Sequence, residues 1–155
     1  MRIRTTKTKL SMVDIQQIVE NHETDRSHKM RLKRYYVGKH DILNKSERSN
    51  DAATNRIVAN FCEYITCIST GFFLGQPVAY SSASENEDEI DLLQDVFKYN
   101  DESAHNIELA EEASITGEAY EVLYMDGDAN IRLEAVPSEE VILVCDRCSY
   151  RREYQ

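Results

Sequence analysis

The apolar stretch at residues 55–80, NRIVANFCEYITCISTGFFLGQPVAY, constrains the fold of this chain more than any other segment. Its apolar residues recur at helical spacing and spread over most of the helix circumference. The pattern predicts one long central helix that neighbouring elements bury on most sides. Gly71 and Gly75 predict the end of this helix. Pro77 then predicts that the chain leaves as a short strand at Val78–Tyr80.

The rest of the composition is that of a globular protein without a membrane span. Polar side chains interrupt the apolar run at Arg56, Asn60, Glu63 and Thr66. A span needs about 20 predominantly apolar residues, so we expect none here. The basic start of the chain carries no secretory signal, which predicts an intracellular setting in which the four cysteines remain thiols.

Charge is distributed unevenly along the chain, whose net charge is −10. Residues 1–60 contain 13 Lys and Arg against 7 Asp and Glu, a net of +6, so the remainder carries −16. An acidic body repels nucleic acid phosphates, whereas a basic arm attracts acidic partners, including its own acidic half. The charge therefore argues against tight DNA binding by the body.

Local signals predict the helices of a single domain. With 155 residues, we expect a flexible leader at residues 1–10 and one domain at residues 11–155. Ser11 and Asp14 form a capping-box pair that opens the first helix, and Gly38 is its predicted stop. The polar stretch between Glu20 and Lys29 predicts that the middle of this helix is solvated or bridges between elements. Further helices are predicted at Glu87–Tyr99 and from about Glu102 to Thr116, with Gly117 as a stop.

Alternating patterns then predict strands. Residues 118–125 and 131–136 flank the turn sequence Asp126-Gly127-Asp128, which is a strong hairpin signal. A single helical turn is predicted at Ser138–Glu140 and a third strand at Val141–Cys145. The predicted class is α+β, with several helices, one of them long, central and buried, packed with a small antiparallel β-meander near the C-terminus. Because the meander stops without a visible partner strand, we expect the chain to be part of a longer protein.

No constellation of residues predicts a catalytic centre or a cofactor site. Cys145 and Cys148 form a CxxC pair, and Cys62 and Cys67 add two thiols, so a four-thiolate zinc site has to be considered. However, residues five apart on a helix point about 140° away from each other. Cys145 and Cys148 are therefore only weak metal candidates. Nucleotide-binding and nucleophile-elbow motifs are absent from the sequence, so we do not expect an enzyme.

One helical segment has the composition of a binding surface. It combines basic residues with two tyrosines, at Lys29, Arg31, Lys33, Arg34 and Lys39 with Tyr35 and Tyr36. The simpler interpretation is a solvated helix face whose tyrosines pack inward. The candidate interface residues are Lys29, Arg31, Lys33, Arg34, Glu87 and Asp88.

Four segments in this order resemble the N-terminal part of bacteriophage portal proteins of tailed phages and prophages of Gram-positive bacteria. They are RYYVGKHDIL (34–43), NRIVANFCEYI with TGFFLGQPVAY (55–80), SITGEAYEVLYMDGDANIRL (114–133) and PSEEVILVCD (137–146). The four cysteines are not part of the family pattern.

The resemblance implies a structural subunit of a ring at one vertex of the phage head, usually with twelve subunits around a tunnel. DNA passes through that ring, driven by a separate terminase ATPase, and the ring later joins head to tail. Terminase, scaffolding and head–tail adaptor proteins are the implied partners. The implied locations are the virion and, during assembly, the host cytoplasm. This chain looks like the N-terminal wing-side portion of such a subunit.

Within such a ring, we expect the basic helix from Lys29 to Lys39 to meet an acidic surface, such as Glu85–Asp91, of a neighbouring subunit. One alternative is a small intracellular binding module that uses the basic helix for nucleic acid or an acidic protein. Another is a metal-dependent protein that uses the cysteines.

Overall fold

Four helices and two small two-stranded sheets form an α+β structure, which confirms the predicted class. The computed structural model describes residues 2–5, 9–46, 55–82 and 87–146. The helices are α1 (Met12–Tyr36), α2 (Phe61–Leu74), α3 (Glu87–Tyr99) and α4 (Glu102–Thr116). The strands are β1 (Arg2–Thr5), β2 (Tyr120–Met125), β3 (Ile131–Val136) and β4 (Leu143–Asp146). Short 3₁₀ turns lie at Asp41–Asn44 and Ser138–Glu140.

Helix α1 begins at the predicted capping box. The Ser11 hydroxyl accepts a hydrogen bond from the Asp14 N–H at 3.3 Å, and the Asp14 carboxylate accepts one from the Ser11 N–H at 2.9 Å. After the last helical residue, Gly38 has a φ of 77°, a left-handed conformation that glycine adopts at little cost. Most of residues 20–29 are exposed, and the two buried side chains of α1, His22 and Lys29, contact the 3₁₀ turn at Ser138–Glu140, so this part of the helix is partly solvated and partly bridges to another element.

Helix α2 differs most from the sequence prediction. It has 14 residues and starts at Phe61, Gly71 lies inside it, and residues 77–80 form no strand. The predicted burial is also wrong, since Thr66 and Thr70 are its only buried residues. These two threonines, one turn apart, form the face turned to the other helices, and the Ser114 hydroxyl of α4 lies 3.4 Å from the Thr66 hydroxyl. The small polar residues therefore face inward, and the large apolar ones face outward.

Helices α3 and α4 follow the predicted bounds and are separated at Asn100 and Asp101. Asp101 has a left-handed φ of 49°, which turns the chain sharply between the helices. The Asn100 amide donates to the Ile131 carbonyl at 2.8 Å, and its carbonyl oxygen accepts from the Leu133 N–H at 3.0 Å. This one side chain therefore attaches the end of α3 to β3.

The predicted hairpin is confirmed. Strands β2 and β3 pair antiparallel, with Tyr120 opposite Val136 at one end and Met125 opposite Ile131 at the other. In the turn, the Asp126 carboxylate accepts hydrogen bonds from two backbone N–H groups beyond it, at 3.0 and 2.9 Å. On the helix side, buried His105 of α4 lies 2.9 Å from the carboxylate of Glu121 on β2.

The third strand of the predicted meander belongs to another sheet. Strand β4 starts at Leu143 and pairs in parallel with β1, with Arg2 opposite Leu143. Pro137 and the 3₁₀ turn at Ser138–Glu140 redirect the chain after β3, so that β4 leaves the hairpin. The antiparallel sheet therefore has two strands in the described part of the chain, and residues 1–10, expected as a leader, contain β1.

Burial in the described residues is confined to polar side chains. None of the described apolar residues is buried, and the buried residues are His22, Lys29, Thr66, Thr70, His105 and Ser138. The described elements are thus positioned mainly by hydrogen bonds and ion pairs, and much of the apolar surface remains exposed.

Candidate assembly surface

The most enclosed contact in the described structure joins α1 to the second 3₁₀ turn. The Lys29 side chain is only 3% exposed. Its ammonium group donates to the Ser138 carbonyl at 2.8 Å, is hydrogen-bonded to the Glu118 carboxylate, and lies 3.1 Å from the Asp25 carboxylate. We call Lys29, Lys33, Glu112, Glu118 and residues 138–139 the polar seam.

A second lysine extends the polar seam by one helical turn. The Lys33 ammonium lies 2.6 Å from the Glu139 carboxylate and 2.9 Å from that of Glu112. Glu112 also accepts a hydrogen bond from the backbone N–H of Ser138, a fully buried residue, at 3.1 Å. The Ser138 hydroxyl is 3.0 Å from that of Thr116. Polar groups of Ser138 and Glu139 are therefore matched by side chains of α1 and α4.

His22 continues the same face of α1 toward its N-terminus. Its Nε2 lies 2.9 Å from the Glu139 carbonyl oxygen. His22, Lys29 and Lys33 are seven and four residues apart, which is the spacing of one helix face. That spacing was the available sequence signal, and it was missed because the face consists of polar residues.

The ion pairs of the polar seam shift the pKa values of its carboxyl groups. Burial by itself would raise the pKa of Glu118, but several hydrogen bonds, led by the one from Lys29, and the charge of Lys29 together outweigh it and lower the pKa to about 2. Burial would likewise raise the pKa of Glu112, but hydrogen bonds from Ser138 and Lys33 lower it. For Lys29, burial would lower the pKa, but the hydrogen bond from Glu118 raises it. All three groups are therefore charged at neutral pH.

Helix α2 presents the largest exposed apolar surface of the described chain, which we call the α2 face. Its members are Phe61, Tyr64, Ile65, Ile68, Phe72 and Phe73. Phe72 is 94% exposed and Phe73 75% exposed. Since an aromatic side chain presents about 150–250 Å² when fully exposed, the four aromatic residues alone offer on the order of 600 Å². An exposed apolar patch of this size indicates a surface that another chain or segment covers.

The basic residues predicted as interface candidates lie on two different faces of α1. Lys29 and Lys33 belong to the polar seam, whereas Arg31 and Arg34 contact Asp41 in the first 3₁₀ turn, at 2.9 and 3.3 Å. The acidic candidates, Glu87 and Asp88, begin α3, and their side chains lie outside the described part of the structure. The structure contains a single chain, so the interface role of all six residues stays a prediction.

The cysteines do not form a described ligand set. Cys62 and Cys67 are exposed thiols of α2, Cys145 is half-buried in β4, and Cys148 lies outside the described residues. In residues 2–5, 9–46, 55–82 and 87–146, no three His, Cys, Asp or Glu side chains are grouped as metal ligands would be. The CxxC pair therefore remains an untested metal candidate.

Polar contacts that fix one helix, beside an apolar helix face left uncovered, are typical of a subunit that is completed by assembly. The family model described as "Phage portal protein, SPP1 Gp6-like" matches residues 15–154. Because this match covers most of the chain, the protein belongs to that phage portal family, as the resemblance predicted. No curated protein matches it individually.

Membership makes the chain a phage portal component of a structural, non-enzymatic family whose members assemble as rings. None of the described helices is both long enough and apolar enough to cross a bilayer.

We expect Lys29→Met to lower the free energy of unfolding by about 3 kcal/mol, because it removes the ammonium group that the Glu118 and Asp25 carboxylates and the Ser138 carbonyl share in a partly buried site. Arg26→Met, on the same helix, is the matched control. Arg26 pairs with Glu23 at 3.5 Å in a solvent-exposed contact, so its loss should cost under about 0.5 kcal/mol. Urea unfolding followed by circular dichroism measures both. Equal losses in the two variants would contradict the assigned role of Lys29.

Glu118 also predicts a pH dependence. Because its folded pKa of about 2 lies below the ordinary value of 4.5, its stabilising contribution is complete above about pH 4.5 and disappears as the pH falls toward 2. We expect Glu118→Gln to be less stable than the wild type at pH 6, with a difference that shrinks between pH 4.5 and 2. Urea midpoints across this range test the expectation. A difference that stays constant down to pH 2 would refute it.

Proposed function

We propose that residues 11–155 form the wing-side part of a portal subunit in a closed ring at the head vertex of a tailed phage or prophage. DNA passes through the ring during packaging and ejection, and the ring joins head to tail. The chain contributes structure and no chemistry of its own. Assembly takes place in the host cytoplasm, and the mature ring resides in the virion.

The observation that carries this proposal, beyond family membership, is the α2 face. A subunit of a closed ring contacts its two neighbours through two different surfaces, which must remain available in the single chain. The α2 face offers on the order of 600 Å² of aromatic surface, which approaches the roughly 800 Å² per partner of a standard protein interface.

The distribution of charge supports a conduit more than a nucleic acid binder. Lys29 and Lys33 contact carboxylates of their own chain, as do Arg31 and Arg34. The basic helix therefore presents little net positive charge to phosphates, and no contact in the described structure favours the binding-module alternative. An acidic body avoids gripping the DNA that passes.

The proposed partners of the assembled ring are terminase, scaffolding and head–tail adaptor proteins. Family membership is the sole basis for this part of the proposal. Between subunits, we place Arg31 and Arg34 of one copy against the acidic segment at Glu85–Asp91 of the next. Opposite charge on the two halves of the chain favours a head-to-tail contact between copies.

The first test is to express the whole reading frame that contains this chain and to examine the product by electron microscopy. We expect rings with a central channel. Phe72→Ser should reduce ring formation about tenfold or more, because burial of an aromatic side chain contributes about 1.5–3 kcal/mol. It should change the stability of the single chain by under about 0.5 kcal/mol, because Phe72 is 94% exposed there.

Gln16→Ser, at an exposed position of α1, is the control for the Phe72 variant and should leave the rings intact. Absence of rings from the wild-type protein under all conditions would overturn the proposed function. Undiminished rings from the Phe72→Ser variant would remove the α2 face from the assembly surface.

Charge reversal tests the proposed contact between subunits. The double variant Arg31→Glu and Arg34→Glu should weaken ring assembly, since it places like charges against the acidic neighbour. Native mass spectrometry and light scattering at physiological salt measure the oligomer fraction. Unchanged assembly would refute the assigned contact, whereas loss of assembly that high salt partly restores would support it.

A further inference from the structure

Three hydrogen-bond donors converge on one carboxylate at the outer face of α1. The Arg31 guanidinium donates to one oxygen of Asp41 at 2.9 Å, and the Tyr35 hydroxyl donates to the same oxygen at 2.7 Å. The Arg34 guanidinium lies 3.3 Å from the other oxygen. The Arg31 guanidinium carbon also lies 5.6 Å from the centre of the Tyr35 ring. The centres of the Tyr35 and His40 rings are 4.8 Å apart. We call Arg31, Arg34 and Tyr35 the donor triad.

The donor triad and its acceptor have very different structural support. The three donors, at positions 31, 34 and 35, lie on the last turns of α1. The polar seam holds this 25-residue helix in place. Asp41 instead belongs to a four-residue 3₁₀ turn, Asp41–Asn44, in which every residue is exposed. The residue before this turn, His40, makes no capping hydrogen bond to it, and its Nε2 instead lies 3.4 Å from the side-chain oxygen of Asn60. The helix that carries the donors is therefore held by the polar seam, whereas Asp41 lies in a short exposed turn, so its carboxylate can move away from the donors without movement of α1.

The chemistry of the donor triad suits carboxylates in general. The two guanidinium groups only donate hydrogen bonds, and the hydroxyl donates one more. Arginine also pairs well with planar carboxylates. The hydrogen bond from Tyr35 and the charge of Arg31 lower the pKa of Asp41, so the bound group is an anion at neutral pH. Another carboxylate presented at this position would meet the same donors.

The sequence supplies such carboxylates in one short segment. Residues 85–91 contain five acids, Glu85, Glu87, Asp88, Glu89 and Asp91. The contact between subunits proposed above brings this acidic segment of one copy to the basic helix of the next. A phosphate backbone is the less favoured occupant, because the net charge of −10 repels nucleic acid.

We propose that Asp41 is an internal plug of a carboxylate-binding site formed by the donor triad, and that the acidic segment 85–91 of a second copy displaces it on assembly. The inference rests on the proposed ring for its partner. In a single chain, Asp41 occupies the donor triad. In the ring, the neighbouring copy presents its carboxylates at a higher local concentration, and these displace Asp41.

The direct test uses a synthetic peptide with the sequence of residues 85–95, labelled with a fluorophore, and fluorescence anisotropy at low salt. Asp41→Asn keeps the shape of the side chain and removes its charge. If the plug is closed in about nine chains of ten, this variant should bind the peptide about tenfold more tightly than the wild type. In the Asp41→Asn background, replacing both arginines with alanine should abolish that gain.

Asp128→Asn is the matched control, because it removes one negative charge from an exposed hairpin position with no side-chain contact to the donor triad. It should leave the peptide affinity unchanged. An equal gain in the two variants would show an effect of net charge alone and would overturn the inference. So would a failure of Asp41→Asn to gain affinity, or tighter binding of this variant to duplex DNA than to the peptide.

Two readouts separate this inference from the proposed function. If Asp41→Asn gains peptide affinity while the whole reading frame forms no rings, the plugged site is supported and the portal ring fails. If rings form and Asp41→Asn changes neither peptide binding nor the concentration at which rings appear, the plug is refuted and the proposed ring stands.

Discussion

The position of α1 depends on a lysine that is almost fully buried. An ammonium group at 3% exposure is unfavourable unless its charge and donors are matched, and Lys29 is matched by a backbone carbonyl and two carboxylates. These partners come from the second 3₁₀ turn, from the approach to β2 and from α1 itself. Only one rotation of α1 about its axis satisfies them together. The lysine therefore determines which side chains of α1 face the body and which, including the donor triad, face outward.

None of the described apolar residues is fully buried, although burial of apolar side chains is the usual driving force of folding. Its contacts between elements use threonines, serines, histidines and ion pairs, while the aromatic residues of α2 remain outside. For a member of the portal family, this arrangement leaves apolar surface available for the ring assembly proposed above. Folding of the subunit and formation of the ring are then expected to be coupled, since each copy completes the surface of its neighbour.

Local signals in the sequence predicted much of the secondary structure and less of the packing. The capping box at Ser11, the hairpin turn at Asp126 and the stop at Gly117 depend on nearby residues only, and all three are confirmed. Periodicity showed that α2 is apolar but could not show what covers it, so its burial was wrongly predicted. The pairing of β4 with β1 depends on residues at opposite ends of the described chain, and no local pattern encodes it. At the candidate surface, composition indicated the arginines of α1, whereas their contact with Asp41 required the conformation of the turn that follows.

The parallel pairing of β1 with β4 also has a consequence for the order in which the molecule forms. Arg2 lies opposite Leu143, so during synthesis β1 must wait for nearly all of the described chain before its partner strand exists. Contacts between such distant positions form slowly, because a large loop must close first. During that interval the aromatic side chains of α2 are already synthesised and uncovered. A nascent chain of this kind is expected to benefit from a chaperone that shields apolar helices until β1 and β4 pair.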